Sequence, residues 1–174
     1  MKKKMLSLFS AIFAILCVFP ISAFAAESDP HSVSVSVEYV EEDLSSQYDF
    51  TPFSIAPRRG TVDLSKGNNS FSIGILTASG KYTTSTYSIT KGTIRIGLQS
   101  LSAASEHIRI TLYKSNGSSV ATHTVSVPWS NPTTSGITTY VSFTNLDANL
   151  DYYAVIENID SVQSGSLLGV AMQK

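Results

Sequence analysis

The stretch Ser32-Val33-Ser34-Val35-Ser36-Val37-Glu38-Tyr39 alternates polar and apolar residues without a break. A period of two places Val33, Val35, Val37 and Tyr39 on one face of an extended strand. No helix reads this way, because a helix needs apolar residues three and four apart. The same alternation returns in Phe71-Ser72-Ile73-Gly74-Ile75, Ile94-Arg95-Ile96-Gly97-Leu98 and Ile108-Arg109-Ile110-Thr111-Leu112, and again over 120–127, 137–143 and 152–156. Residues 167–172 form a last apolar run. Residues 82–89, rich in Thr, Ser and Tyr, suit an exposed strand. Turn clusters separate the runs at Lys66-Gly67-Asn68-Asn69, Ser79-Gly80-Lys81 and Lys91-Gly92. Asn116-Gly117 is the strongest turn signal, and it predicts a type I′ hairpin with positive φ at both residues. About nine or ten short strands without an amphipathic helix give an all-β pattern. The expected fold is a two-sheet antiparallel β-sandwich, jelly-roll or immunoglobulin-like.

The first residues are set apart by composition. Lys2, Lys3 and Lys4 precede an apolar run over 5–19 broken only by Ser7 and Ser10, and Ala23-Phe24-Ala25 follows Pro20. This is the pattern of a secretory signal peptide, so 1–25 is excluded from the fold. The run is short for a membrane span of about 20 residues. Leu16 stands before Cys17 where a lipobox has a small residue, which argues against lipidation. Residues 26–31 read as a mobile polar lead, and 32–174 as one sandwich domain. Cleavage removes three lysines and no acid, taking the net charge from −1 to −4, and it removes the only cysteine. The mature domain is then expected to be extracellular, without a disulfide, a thiol nucleophile or a thiolate metal site. Its mild acidity offers no footprint for nucleic acid or anionic lipid, and no sequence motif calls for a cofactor. Between the first two strands, Pro52, Pro57 and Arg58-Arg59-Gly60 indicate a covering loop or an edge strand.

Phe143 ends one alternating run and Tyr152 begins the next, across Leu146-Asp147-Ala148-Asn149-Leu150-Asp151. The Leu146–Tyr152 spacing resembles the corner of fibronectin type III domains. The segment also resembles the closing strands of secreted bacterial pre-peptidase C-terminal domains. The resemblance implies a cross-over between sheets, with the Tyr152 hydroxyl bonded to nearby backbone. Ala148-Asn149 stands where the fibronectin corner has Pro-Gly. The likeness carries an architecture and no functional residue.

Asp147, Asn149 and Asp151 have the opening spacing of a calcium loop. Tyr152 replaces the sharp-turn glycine and Asn158 the bidentate glutamate of an EF-hand, so an Asx turn is the stronger reading. Asn145 and Asp160 are further oxygen donors for a non-EF site. His31, His107 and His123 lie at no metal-ligand spacing; His107 is expected to face solvent and His123 to be half-buried. No G-x-S-x-G elbow is present. Glu38, Glu41, Glu42 and Asp43 read as a solvated strand cap, and Glu157 and Asp160 likewise. The better functional lead is aromatic. Trp129 in a Pro-bracketed loop, Tyr82 and Tyr87 on a polar strand, and Tyr113 beside Arg109 offer rings to a sugar face or a protein partner. The expected function is a secreted, non-catalytic binding or interaction protein for a glycan, a cell-envelope component or another protein. A small extracellular hydrolase using His123 or the carboxylates, and a matrix protein assembling through sheet edges, are the alternatives.

Overall fold

The alternating runs fold as strands and the turn clusters separate them. A computed structural model describes residues 32–48, 60–102, 104–129, 136–160 and 165–174. The residues read as a signal peptide and lead, Arg58-Arg59 and the loop around Pro132 lie outside the described residues. The strands are β1 (Ser34–Glu41), β2 (Thr61–Asp63), β3 (Asn69–Leu76), β4 (Lys81–Thr83), β5 (Thr86–Ser88), β6 (Ile94–Ser100), β7 (Glu106–Lys114), β8 (Ser119–Val127), β9 (Ile137–Thr144), β10 (Tyr152–Asn158) and β11 (Gly165–Met172), with one helical turn, α1 (Leu44–Gln47).

Two sheets result. One has the order β1-β9-β6-β11-β3, and the other β2-β5-β10-β7-β8 with β4 also on β10. The ladders are nested: β7 pairs with β8, β6 with β9, β4 and β5 with β10, and β3 with β11. A long hairpin rolled into two sheets has this order, which is that of a jelly roll. β1 extends one sheet beyond β9, and β2 joins β5 in parallel.

The inner faces carry the core. Ile94, Ile96, Leu98, Val141 and Phe143 of one sheet meet Ile108, Ile110, Leu112, Ala154 and Ile156 of the other. The outer face of the five-stranded sheet is covered as well. Leu44 of α1 lies over Tyr140, Leu168 and Val170. Asp43 caps α1 by accepting from the Ser45 N–H, and Gln99 accepts from the Leu44 N–H at 2.8 Å. Gln99 shares the outward parity of Arg95 and is buried under α1. Arg95 sits over the Tyr140 ring at 3.6 Å and bonds Glu38 at 2.6 Å. A Cβ on Gly97 would lie 2.5 Å from that ring, so the neighbouring strand must be bare there.

Three expectations fail where the period of two is interrupted. Ile75 is exposed, because β3 carries an extra residue opposite Gly165–Leu167 and Leu76 takes the inward place. Residues 82–89 are two short strands rather than one. The break falls at Thr84-Ser85, where the Thr84 hydroxyl accepts from the Ala154 N–H at 3.0 Å in place of a backbone carbonyl. The break restores the inward face, so Tyr82 and Tyr87 are both buried. The β7–β8 turn bonds Gly117 N–H to Lys114 O at 2.9 Å, with Gly117 (φ 88°) at positive φ and Asn116 not, so it is not type I′.

The corner is built as a cross-over from β9 to β10. Asn145 turns the chain at φ 62°, Leu146 is buried, and the Tyr152 hydroxyl donates to Asp147 O at 3.1 Å. Tyr152→Phe removes this bond and leaves the ring packed. It should lower unfolding stability by about 1 kcal/mol in urea titration. An unchanged midpoint would show that the corner does not depend on the hydroxyl.

Candidate functional site

The outer face of the six-stranded sheet is polar and aromatic. In antiparallel register, Tyr153 lies beside Tyr113, Val155 beside Thr111, and Glu157 beside Arg109. Cross-strand neighbours on one face touch, and these do. Tyr113 and Tyr153 stack at 5.2 Å with planes 10° apart. Thr122 Oγ1 donates to Thr111 Oγ1 at 3.1 Å. Glu157 bonds Arg109 at 3.0 Å and lies 3.6 Å from Lys81. At the end of this row His107 Nδ1 lies 2.9 Å from Asp160 Oδ1, and the His107 N–H donates to Asp160 Oδ2. The His107 backbone N–H, helped by the ring, holds the Asp160 carboxyl below its usual range.

The four aromatic candidates do not form one patch. Tyr82 and Tyr87 belong to the core; Tyr82 stacks on Phe71 at 5.5 Å, and burial drives the Tyr87 hydroxyl pKa upward. Tyr113 faces outward as its parity requires, although one ring face is taken by Tyr153. Trp129 is 45% exposed beyond the end of β8 and forms an isolated bridge with Ser100. Tyr113 lies at the hairpin end of β7 and Trp129 near its start, roughly 20 Å away along the strand. Tyr153 is the partner that sequence reading missed. The Tyr152-Tyr153 doublet carried the signal, since one ring must face out if the other faces in.

A second polar group closes the interior at the Trp129 end. Glu106 shares parity with Ile108, Ile110 and Leu112, so it points between the sheets, 1% exposed. One carboxyl oxygen accepts from the Ser102 hydroxyl at 2.7 Å and from the Ser100 hydroxyl at 2.9 Å. The other oxygen is buried without a hydrogen-bond partner, against Gly165, where a Cβ would collide with it. Burial pushes the Glu106 carboxyl above its ordinary range; the two hydroxyls oppose this, and the charge of Asp160 adds to it. Residue 106 shares the inward parity of Ile108 and Ile110, but from sequence residues 100–106 read as a loop or a single helical turn, which conceals it.

The acids of β1 and of the step that follows it are more than a solvated cap. Glu38 holds Arg95, Asp43 caps α1, and Glu42 has one carboxyl oxygen buried. In the corner, Asp147 Oδ1 accepts from the backbone and side chain of Asn149 at 2.9 and 3.0 Å, an Asx turn. Asp151 contributes its carbonyl to the Ser115 N–H. Among the described residues no three His, Cys, Asp or Glu side chains are grouped to hold a metal ion. His123 is half-buried and faces inward opposite Ile110 on the edge strand β8. No family model, no curated protein and no solved structure matches the chain.

Because the folded protein holds the Glu106 proton more tightly than the unfolded chain, its contribution is fully present below the ordinary carboxyl range. That contribution is lost as pH rises through the raised value. Glu106→Gln cannot ionise, and its carbonyl still accepts from Ser100 and Ser102. In urea titrations between about pH 4 and pH 8 the variant should gain stability relative to the parent as pH increases. Parallel curves would show that this carboxyl does not ionise at a shifted pH.

Proposed function

We propose that the protein is a secreted, non-catalytic binding module that engages a glycan, a cell-envelope component or another protein. It does so through the outer face of its six-stranded sheet. The carrying observation is the asymmetry between the sheets. One outer face is covered by α1 and filled by Leu44, Tyr140, Leu168 and Val170. The other presents, in order along its strands, the Tyr113–Tyr153 stack, the Thr111–Thr122 pair and the Arg109–Glu157–Lys81 row. Stacked rings fixed by a sheet present apolar edges and hydroxyls at little entropic cost on binding. The basic n-region, apolar run and Ala23-Phe24-Ala25 support export. Trp129, at the far end, is a separate contact on this reading.

One observation favours a hydrolase as the second reading. The Glu106 and Asp160 carboxyls are pushed in opposite directions, a division that suits an acid and a base. Glu106 points into the core and offers a substrate no surface, so binding is preferred.

Tyr113→Ala combined with Tyr153→Ala should leave the fold cooperative and weaken retention on purified cell-envelope polysaccharide or envelope protein by roughly tenfold. Trp129→Ala should have a smaller, independent effect. Undiminished retention by the double variant would move the site off this face.

A further inference from the structure

Among the described strands β1, β2, β3, β4 and β8 pair on one side only, and all but β8 are short or carry features that discourage pairing. β2 is three residues long, and its Asp63 is paired with Lys66. β3 is interrupted by the extra residue near Ile75. β1 carries Glu38 and Glu41. β8 differs. It runs nine residues, Ser119–Val127, with no Lys, Arg, Asp, Glu, Pro or Gly. Among the described strands it pairs only with β7, and its single register shift lies at the hairpin end, beside Val120. Thr122 and Thr124 are exposed on its outer side.

The strand is also self-complementary. Thr122-His123-Thr124 reads the same in both directions. An antiparallel copy centred on His123 sets His123 opposite itself, Thr122 opposite Thr124 on the outer side and Ala121 opposite Val125 on the inner side, so threonine meets threonine and alanine meets valine. Cross-strand pairs of these kinds are favourable.

The neighbouring seam is unfinished. β1 lies across the sandwich from β8. Tyr39 pairs with Thr139, whose other neighbour is the core residue Leu98, so Tyr39 points inward. It is nevertheless 55% exposed at that edge. Val35, Val37, Val120 and Ala121 line the same rim and are only partly buried.

We infer that β8 is a homodimerisation edge, pairing antiparallel with β8 of a second copy across a two-fold axis at His123. The union makes one continuous sheet from two six-stranded ones and covers the Tyr39 seam. It also sets two Tyr113–Tyr153 stacks on one surface. The pairing does not depend on the binding role proposed for that surface.

Sedimentation of the purified protein from about 1 µM to about 1 mM should show a reversible monomer–dimer equilibrium. Thr122→Lys with Thr124→Lys places like charges opposite one another and should raise the dimer dissociation constant by at least roughly tenfold. Thr122→Lys with Thr124→Glu places opposite charges in register and should restore the dimer. Circular dichroism and cooperative unfolding check that each variant is folded. A cross-link supplies evidence independent of the charged variants. In a Cys17→Ala background, His123→Cys should form an intermolecular disulfide on mild oxidation, and Ser36→Cys on β1 should not. A monomer throughout the range, a dimer indifferent to the two lysines, or equal cross-linking by both cysteines would overturn the assignment.

Discussion

Each sheet is completed by a strand that arrives late in the chain and inserts between earlier ones. β11 lies between β6 and β3, and β10 between β7 and the β4/β5 edge. A strand in that position bonds on both sides, and an unpaired buried amide is costly. Without β10 and β11 each sheet would split into parts with unsatisfied backbone and half an inner face. The Leu146–Tyr152 corner matters for this reason. It carries the chain from one sheet to the other and aims β10 into its slot, and the Tyr152 hydroxyl ties the turn to the strand. Most of the pairings join residues far apart in sequence, which is the expensive way to close a chain.

Much of this was legible. The period of two located most of the strands and their inward faces, because a half-buried sheet imposes that period on its sequence. The failures share a cause. Ile75 and Tyr87 were misplaced by single interruptions, at Gly74–Ile75 and Thr84–Ser85, each of which moves every later residue to the opposite face. An inserted residue has no compositional signature when its neighbours are Ser, Thr and Gly. The candidate site was half legible. Tyr113 followed from parity within one strand. Its pairing with Tyr153 is a matter of which strands become neighbours, and alternation does not contain that information. Glu106 was hidden because residues 100–106 read as a loop or a single helical turn, so the inward parity of β7 was not extended back to it.

The two outer faces divide the molecule's work. α1 converts one into a second, smaller core, stiffened by Gln99 under its first turn and by Arg95 between Glu38 and Tyr140. The other keeps cross-strand pairs that are satisfied among themselves and still face water. Such a surface costs little to leave solvated and little to dock against, since its side chains are already ordered. That balance is what the proposed binding role would draw on.

At Gly97 and Gly165 a neighbour occupies the position a side chain would need. Both lie on interior strands of the five-stranded sheet, one beneath Tyr140 and one beside Glu106. Their consequence concerns how freely this sequence can drift. A core leucine can be exchanged for another apolar residue of similar volume, with repacking. These glycines have no smaller or equal substitute, so change there must wait for change in the aromatic or the acid first. The positions with least chemistry of their own are then the ones that constrain the order in which the rest of the chain can vary.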